Sequence, residues 1–526
     1  TTITTTTTAS STASSNKAVT VSAPGKVLLV GGYLVLERPN VGCVVASNSR
    51  FYTTVQASAQ PHIHVKSPQF HCEWTYEYHQ GNLSASPHNC TINPFVEKTL
   101  RVCLLYLIPT IVKSTGGSTA STSSSFNDDD TGDEEGEEEA GNQGGPDVAL
   151  EITIQADNEF YSVMPHLQQQ DQPRTLEAVA ALPRFLPCPM DPNNPGSAMV
   201  NKTGLGSSAA LTTSLVGALV HYYCSSSLAN KDPQEITTMI HNLAQICHCH
   251  AQGKVGSGFD VSAACFGTQV YRRFPKTLLP DLLGQLEHEE ATNSHLLNAR
   301  ETIENLAEDE WEEDMVEPLS LTLSGSSGHA QLQILLADVQ GGTESPGMAK
   351  TVLNWKQSQR PPIPHWDELK SLNSKVVSLF HALSSASDTT ASVDYDALAA
   401  LPASQWPSDL AITQLAQTLK EIRSHLRAMG EAAGAPIEPP PQTQLCDATS
   451  QLPGVVTCLV PGAGGYDAVA CLYIDRPSVR NAITNLWSSW ESPLICPLPV
   501  QASSEGLRLE PGPPTTTTTT KNTSAS

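Results

Sequence analysis

The chain has 526 residues, enough for two hydrophobic cores, and a formal net charge of −24 at pH 7. The acidic run from Asp128 to Glu139 supplies nine of the negative charges and leaves −15 elsewhere, a balance that argues against nucleic acid or anionic membranes as partners. Thirteen cysteines without the regular spacing of a disulfide framework favour a reducing, cytoplasmic location.

Three segments are expected to be disordered because they carry almost nothing apolar to bury. They are residues 1–17, the acidic insert 114–146 and the tail 501–526. The start of the chain has neither a basic region nor an apolar core, and the longest apolar run, "VCLLYLIPTIV", is too short to cross a bilayer. We therefore expect no secretory signal and no membrane partner.

Residues 18–274 are predicted to form a first domain that mixes strands and helices. "AVTVSAPGKVLLVGGYLVL" predicts a strand, a turn and an apolar strand, and a helix is expected to begin near Pro94. Strand alternation returns in "DVALEITIQA". A glycine loop with its helix follows, then "PQEITTMIHNLAQICHCHAQ" as a second helix and "FGTQVYRRF" as a strand.

The pattern begins again after a connecting segment expected at 275–317. "LSLTLSGSSGHAQLQILLADVQ" predicts strands, and helices are expected at 366–383 and 410–429. "GVVTCLVPGAGGYDAVACLYI" then reads as strand, glycine turn and strand, and "SVRNAITNLWSSW" as a last helix, which gives a second domain at 318–500. Strands and helices interleave without the steady alternation of a parallel sheet, so the predicted fold class is α+β.

The loop in "NKTGLGSSAALTTSLVGALV", residues 201–220, is the leading candidate binding element. Gly204 and Gly206 let backbone approach a ligand closely, while Ser207 and Ser208 place hydroxyls where a helix would begin. The unpaired N–H groups and positive dipole end of such a helix favour an anion, and a phosphate is the first candidate. An ordinary Gly-Ser turn before a buried helix is the alternative from this segment alone.

Other phosphate-binding loops fit the sequence less well. A dinucleotide fold needs an acid about 20 residues beyond the loop, and none occurs between Thr203 and Lys231. A Walker loop needs a hydroxyl residue directly after its lysine, but Lys26 and Lys254 are each followed by valine. The H-R-D and D-F-G signatures of protein kinases are missing as well.

The segment "QICHCHAQGK" alternates cysteine and histidine and raises the question of a metal site. Residues two apart on a helix diverge, and no partner cluster with zinc-finger spacing appears. We therefore do not expect these residues to bind a metal.

Three glycine-bearing elements stand in order: "APGKVLLVGGYLVL", "KTGLGSSAA" and "PGAGGYDAVACL". This arrangement resembles the GHMP kinases, and the contexts "KVGSGFDVSAACFGTQVYRRF" and "QTQLCDATSQLPGVVTCLVPGAGGYDAVACL" look most like the phosphomevalonate kinases of fungi and plants. The resemblance covers about 18–110 and 148–490. It implies ATP and Mg²⁺ as cofactors and a two-domain fold, with a ribosomal-S5-domain-2-like N-terminal part and a ferredoxin-like C-terminal α/β sandwich.

The resemblance also implies site residues. Asp260 would act on the acceptor, with Lys26 alongside to stabilise negative charge, although an N-cap aspartate and a surface turn lysine are the alternatives. The phosphates of ATP would be bound by Gly204, Leu205, Gly206, Ser207, Ser208 and Ala209, and Mg²⁺ by Ser208. Contacts to the acceptor are expected from Lys202, Tyr33, Ala463, Thr343 and Ser345. A solvated loop lysine is the alternative for Lys202, and an ordinary core or rim aromatic is the alternative for Tyr33.

The implied reaction is transfer of the ATP γ-phosphate to 5-phosphomevalonate, a small-molecule substrate of isoprenoid biosynthesis. Mevalonate kinase is the nearest enzyme alternative; Lys202 argues against it, and so does "AQICHCHAQGK", which contains no counterpart of the glutamate that ligates magnesium in mevalonate kinases. The third alternative is a ligand sensor that has lost catalysis. Retention of Lys26, Ser208 and Asp260 together argues against such a sensor.

Overall fold

The structure, a computed structural model, describes residues 18–79, 81–108, 148–191, 198–287, 293–309, 311, 315–324, 330–340, 345–385 and 393–515. The expected disorder of 1–17 and 114–146 falls on residues outside these ranges.

Strands and helices both occur throughout the described chain. The strands are β1 (Val19–Val30), β2 (Val41–Ala57), β3 (Ile63–Ser67), β4 (Cys72–His79), β5 (Asn82–Ala85), β6 (Leu150–Ala156), β7 (Gln269–Arg272), β8 (Val316–Pro318), β9 (Thr322–Leu323), β10 (Ala330–Val339), β11 (Val455–Leu459), β12 (Ala468–Ile474), β13 (Ile495–Leu498), β14 (Ala502–Ser503) and β15 (Arg508–Glu510). The helices are α1 (Pro94–Leu107), α2 (Met164–Gln169), α3 (Leu176–Ala181), α4 (Ser207–Leu228), α5 (Pro233–Gln252), α6 (Phe259–Phe266), α7 (Pro280–Leu286), α8 (Asn293–Glu308), α9 (Ser345–Ser358), α10 (Trp366–Ser384), α11 (Tyr395–Ala399), α12 (Ala411–Ala433), α13 (Pro440–Ser450) and α14 (Pro477–Ser488). The predicted α+β class is confirmed.

The described strands form two sheets. The first has the order β15-β1-β2-β6-β3-β4-β5, with β14 and β7 also on β2 and β8 on β7. Most of its pairs are antiparallel, but β3 and β6 run parallel. The second sheet has the order β11-β12-β10-β13, with β9 on β10.

Helix α4 lies at the centre of the first unit. It packs on β1 and β2 and on helices α1, α5 and α6, and its residues from Ala209 to Val220 are all buried. Such a helix needs no polar face, because the sheet covers one side and helices cover the other. The start of α4 is thereby held next to β1.

The prediction of a turn at Pro24-Gly25-Lys26 is wrong, because β1 continues through these three residues. The pairing of β1 with β2 shifts register between Pro24 and Lys26, which marks a bulge. A Cβ at Gly25 would lie 2.9 Å from Ser47 Oγ and 3.1 Å from Leu205 O, so only glycine allows this close approach. The bulge lets the Lys26 amide donate to Leu205 O at 2.9 Å.

The prediction that the chain is disordered from residue 501 onward is wrong for residues 501–515, which the structure describes. Residues of β14 pair with β2, and residues of β15 pair with the edge of β1. This segment is polar, but it is held through its backbone: Leu507 N donates to Cys265 O at 3.0 Å, and Arg50 Nη2 donates to Gly506 O at 2.5 Å. Short strands of this kind need no apolar pattern.

The segment 275–317, expected only to connect two domains, also belongs to the first unit. Helices α7 and α8 pack on α5, and β8 extends the first sheet through β7. Trp311 is 5% exposed and lies against Phe274 with ring centroids 5.1 Å apart.

Candidate active site

A cleft of about 1090 Å³ lies between the two units. Its lining combines residues of the first unit with residues at the ends of β10 and β11. Most of the residues predicted from the sequence meet there: Lys26, Lys202, Gly204, Leu205, Gly206, Ser207, Ser208, Asp260 and Ala463. Their functional roles stay predictions, but their proximity is a property of the fold.

The glycine loop starts helix α4 by means of two left-handed residues. Gly204 has a φ of 80° and Gly206, the N-cap, a φ of 79°, a conformation that side chains with a Cβ disfavour. A Cβ on Gly206 would also lie 3.0 Å from Lys26 Cε. The first turn of α4, with Ser207 and Ser208, opens into the cleft, where its free N–H groups favour an anion. Ala209 is buried behind this turn.

Lys26 lies beside the loop. Its Nζ donates to Gly204 O at 2.8 Å and lies 5.6 Å from the centre of the Phe259 ring. Burial lowers the pKa of Lys26, while the Asp260 carboxylate acts in the opposite direction. The amine therefore lies against the glycine loop, close enough to Asp260 to feel the charge of its carboxylate.

Asp260 stands in the first turn of α6, whose N-cap is Gly258. Gly258 has a φ of 81°, and a Cβ there would lie 2.6 Å from Phe274 Cε1, so this sharp entry also requires glycine. The Asp260 side chain is 19% exposed. The start of a helix suits a negative charge, and the carboxylate remains open to the cleft.

Lys202 projects from an extended segment that crosses the first unit. The segment is fixed by a bridge from Tyr161 to Lys202 and by Ser162 N donating to Asn201 O at 2.8 Å. Thr203 is buried and holds the backbone from the other side. The Lys202 side chain is left exposed in the cleft.

The third glycine motif closes the cleft from the second unit. Gly464 has a φ of 84°, and a Cβ there would lie 2.1 Å from Ile437 O. Gly462 N donates to Leu28 O at 3.3 Å, so the motif touches β1 directly. Ala463 lines the cleft as expected.

Tyr33 is buried next to Ala463, and its contact with the acceptor stays a prediction. It is 4% exposed, has a φ of 65°, and its hydroxyl donates to Ala463 O. Among the described residues it is not part of the cleft lining, and it connects the first unit to the third motif. Thr343 lies outside the described residues, and Ser345 is the first residue of α9.

Two buried titratable residues of the site were not predicted. His248 on α5 is 2% exposed, with Nε2 3.2 Å from Ser208 Oγ and 4.0 Å from Asp260 Oδ2; burial lowers its pKa, with Asp260 acting against this and Lys202 with it. Asp338 at the end of β10 is 4% exposed and accepts from the Ser162 hydroxyl. Burial, together with Asp467, raises the pKa of Asp338 to about 6.

A signal for His248 was present in the sequence. His241, Gln245, His248 and Gln252 recur at helical spacing, so they form a polar stripe along a helix whose other buried residues are mostly apolar. The alternating cysteines and histidines of "QICHCHAQGK" lie two residues apart, so their side chains point in different directions and do not mark this stripe. No comparable pattern marks Asp338, which ends an apolar strand.

The chain resembles known proteins over nearly its whole length. Residues 192–268 match the model of the GHMP kinases N terminal domain. The chain is 32% identical to the peroxisomal phosphomevalonate kinase of Arabidopsis thaliana over 97% of this chain and 99% of the relative, and 32% identical to the phosphomevalonate kinase ERG8 of Gibberella zeae over 94% and 96%.

A solved structure agrees with these relatives at the level of the fold. The Streptococcus pneumoniae phosphomevalonate kinase in complex with phosphomevalonate and AMPPNP is 13% identical, covers 90% of this chain and 97% of its own, and superposes with a TM-score of 0.50. Such low identity bears on the fold alone. The full-length relatives decide the family: this chain belongs to the GHMP kinases.

Proposed function

We infer that the protein is a phosphomevalonate kinase, which transfers the γ-phosphate of ATP to the phosphate of 5-phosphomevalonate and releases ADP and 5-diphosphomevalonate. The observation that carries this inference is the full-length similarity to phosphomevalonate kinases, combined with Lys26, Ser208 and Asp260 in one cleft. The reaction serves isoprenoid biosynthesis.

The nucleotide side of the reaction belongs to the glycine loop. Backbone amides from Gly204 to Ala209 and the positive end of α4 bind the ATP phosphates. Lys26 lies against the same loop and stabilises the charge that is shared between donor and acceptor during transfer.

Magnesium fits this site as a companion of ATP. Across the described residues, no three or more His, Cys, Asp or Glu side chains are grouped to hold a metal ion. Mg²⁺ usually keeps several waters and is bound with substrate phosphates by few protein ligands, so the Ser208 hydroxyl with nucleotide oxygens and water is a suitable donor set. The ion would neutralise phosphate charge.

The acceptor side belongs to Asp260 and Lys202. Asp260 orients the attacking phosphate oxygen or takes its remaining proton, and it holds this place because α6 begins there. Lys202 pairs with the phosphate group, which phosphomevalonate carries and mevalonate lacks. Ala463 closes over the acceptor, and Thr343 and Ser345 are further predicted contacts.

The compartment is a separate matter. Within the described ranges, no helix combines the length and apolar character needed to cross a membrane. The Arabidopsis relative is named a peroxisomal protein. The cytoplasmic location stays a prediction, which imaging of the tagged protein in its own cells would test.

The decisive experiment offers ATP and Mg²⁺ with mevalonate or phosphomevalonate to the purified protein and measures ADP release. We expect rapid release with phosphomevalonate and very slow release with mevalonate. Asp260→Asn, run in parallel, distinguishes transfer at this site from a contaminating ATPase. Equal or reversed preference contradicts the assignment, and nucleotide binding without turnover on either acceptor would favour the ligand sensor.

A further inference from the structure

Helix α5 carries a polar stripe on its buried face. It consists of His241, Gln245, His248 and Gln252, spaced by four, three and four residues, so that they lie on one side of the helix. The first three are at most 2% exposed. Buried polar groups are costly without hydrogen-bond partners, and the positions of those partners indicate what the stripe does.

Two of the partners lie at the starts of the two helices that form the site. Gln245 Nε2 donates to the carbonyl of Gly258, the N-cap of α6, at 2.7 Å. One turn further on, His248 Nε2 lies 3.2 Å from Ser208 Oγ in the first turn of α4. The same nitrogen lies 4.0 Å from Asp260 Oδ2, which is beyond hydrogen-bond range. Ser208 is therefore the direct partner of His248 in the cleft.

Two side chains lie within hydrogen-bond distance of His248 Nε2. Gln252 Nε2 is 3.3 Å away, but a neutral ring nitrogen has one lone pair and makes only one strong hydrogen bond. Ser208 Oγ is the nearer of the two partners, at 3.2 Å. In the neutral tautomer whose Nε2 carries no hydrogen, the Ser208 hydroxyl donates its proton to this nitrogen, and the lone pairs of Oγ remain for another partner. The ring of Phe95 packs on His248 with centroids 5.5 Å apart and restricts its rotation.

We propose that His248 is a positioning residue: its Nε2 accepts the Ser208 hydroxyl proton and so directs a lone pair of Ser208 Oγ to the magnesium of bound nucleotide. The proposal rests on the proposed function, because the nucleotide and its ion are those of the kinase reaction. It adds that the metal ligand is oriented from α5 by a side chain that touches neither ATP nor acceptor.

The test measures the affinity of the non-hydrolysable ATP analogue AMPPNP by calorimetry, with Mg²⁺ and with EDTA. The ratio of the two affinities is the contribution of the metal. We expect His248→Leu to lower this ratio by about 3- to 10-fold, the usual effect of one hydrogen bond, while the metal-free affinity stays unchanged. His248→Gln, whose amide oxygen reaches the place of Nε2, should restore most of the ratio.

His250→Leu is the matched control. His250 is equally buried on the same helix, and its Nε2 has no hydrogen-bond partner within the described structure. It should leave the ratio unchanged. A second check places His248→Leu in a Ser208→Ala background, where it should have no further effect on the ratio.

Several results would overturn the proposal. They are an unchanged ratio in His248→Leu, an equal loss in His250→Leu, or a full additional loss in the Ser208→Ala background. If His248→Leu does not fold, His248→Asn replaces it, because its shorter side chain cannot reach Ser208; an unchanged ratio there also counts against the proposal. Wild-type binding that ignores Mg²⁺ would remove the metal role and this proposal together, whereas Mg²⁺-dependent binding without turnover of phosphomevalonate would remove only the proposed function.

Discussion

Asp260 and Lys202 reach the cleft from different kinds of backbone. Asp260 is fixed in the first turn of α6 behind a glycine that no other residue can replace without strain. Lys202 extends from an exposed segment and owes its position to the buried residues around it. A rigid carboxylate suits a role at the reacting atoms, whereas a long flexible cation suits binding of a charge that is already present in the substrate.

Kinetics should separate these two roles. Asp260→Asn should lower kcat by about 10²- to 10⁴-fold if the carboxylate acts as a base. Lys202→Met should raise the KM for phosphomevalonate by about 10-fold or more, as expected for loss of a charged hydrogen bond, with kcat nearly unchanged. Steady-state assays measure both, and circular dichroism checks folding. Near-normal kcat in Asp260→Asn, together with loss of kcat at saturating acceptor in Lys202→Met, would reverse the assignment.

The buried carboxyl of Asp338 makes stability depend on pH. Because its pKa is raised from 3.8 to about 6, the folded state binds this proton more tightly than the unfolded state. Stability is therefore lost as pH rises through the interval from about 4 to 6. The full shift corresponds to about 3 kcal/mol.

Asp338→Asn should remove this loss, since the amide keeps the volume and still accepts from Ser162. We expect the free energies of unfolding of variant and wild type to agree near pH 4. Above pH 7 the variant should be the more stable by about 1 to 3 kcal/mol. Urea unfolding across this pH range measures the difference, and a difference independent of pH would contradict the assignment of the shift to Asp338.

At the scale of elements, helix α12 is joined to the segment before α13 by a buried ion pair. Arg423 donates from Nε and Nη2 to both oxygens of Glu438, at 3.0 and 2.7 Å, and Arg427 donates to Glu438 Oε1 at 2.7 Å. The side chains of Arg423 and Glu438 are 5% and 4% exposed. Two guanidinium groups therefore share the Glu438 carboxylate, and Arg423 Nη2 also pairs with Asp447 Oδ1 at 2.9 Å.

Glu438→Ala should destabilise the second unit strongly, because it leaves buried positive charge without its main partner. The expected loss in the free energy of unfolding is about 3 kcal/mol, read from urea unfolding by tryptophan fluorescence. The control is Glu431→Ala at an exposed position on α12, which should change stability by less than about 0.5 kcal/mol. Equal effects of the two substitutions would show that the ion pair is not stabilising.

Elements with a strong pattern were predictable from the sequence, and those held by backbone pairing were not. Helix α5 has the predicted bounds, because proline begins it, glycine ends it and its apolar residues are periodic. The bulge at Gly25 and the pairing of β15 depend on contacts with residues far along the chain. Local sequence carries no signal for such contacts.

The site also contains residues that a local sequence pattern predicts and residues that depend on distant contacts. The loop at Gly204 and Gly206 was visible because positive φ and a helix start leave a compositional mark. His248 was missed because its role requires α4 and α6 to lie against α5. Tyr33 had a recognisable position, but the carbonyl to which its hydroxyl donates comes from the other unit.

At the scale of the whole molecule, the first unit depends on residues after the second. Removing all residues beyond 500 deletes β14 and β15. It also removes the hydrogen bond from Arg50 to Gly506 O, and Arg50 is 3% exposed. It also removes the pairing of Leu507 with Cys265 in α6, the helix that carries Asp260. Both the sheet edge and the site helix lose support.

A chain ending at residue 500 should therefore unfold about 10 °C or more below the full chain and lose kinase activity. A chain ending at residue 511 keeps both strands and should behave like the full protein. Differential scanning calorimetry and the ADP assay compare the three. A chain ending at 500 with full activity and an unchanged Tm would show that the returning strands are dispensable.

The pairing of Thr20 with Glu510 also bears on how the protein is made. A ribosome releases β1 long before β15, so the sheet that begins with β1 cannot be completed until Arg508–Glu510 have emerged. The second sheet is built from one continuous stretch of chain, β9 to β13. It is free to fold before β15 has paired with the edge of the first sheet. During synthesis, the edge of β1 therefore stays without its final partner until β15 emerges, and over that time it is open to pairing with other chains.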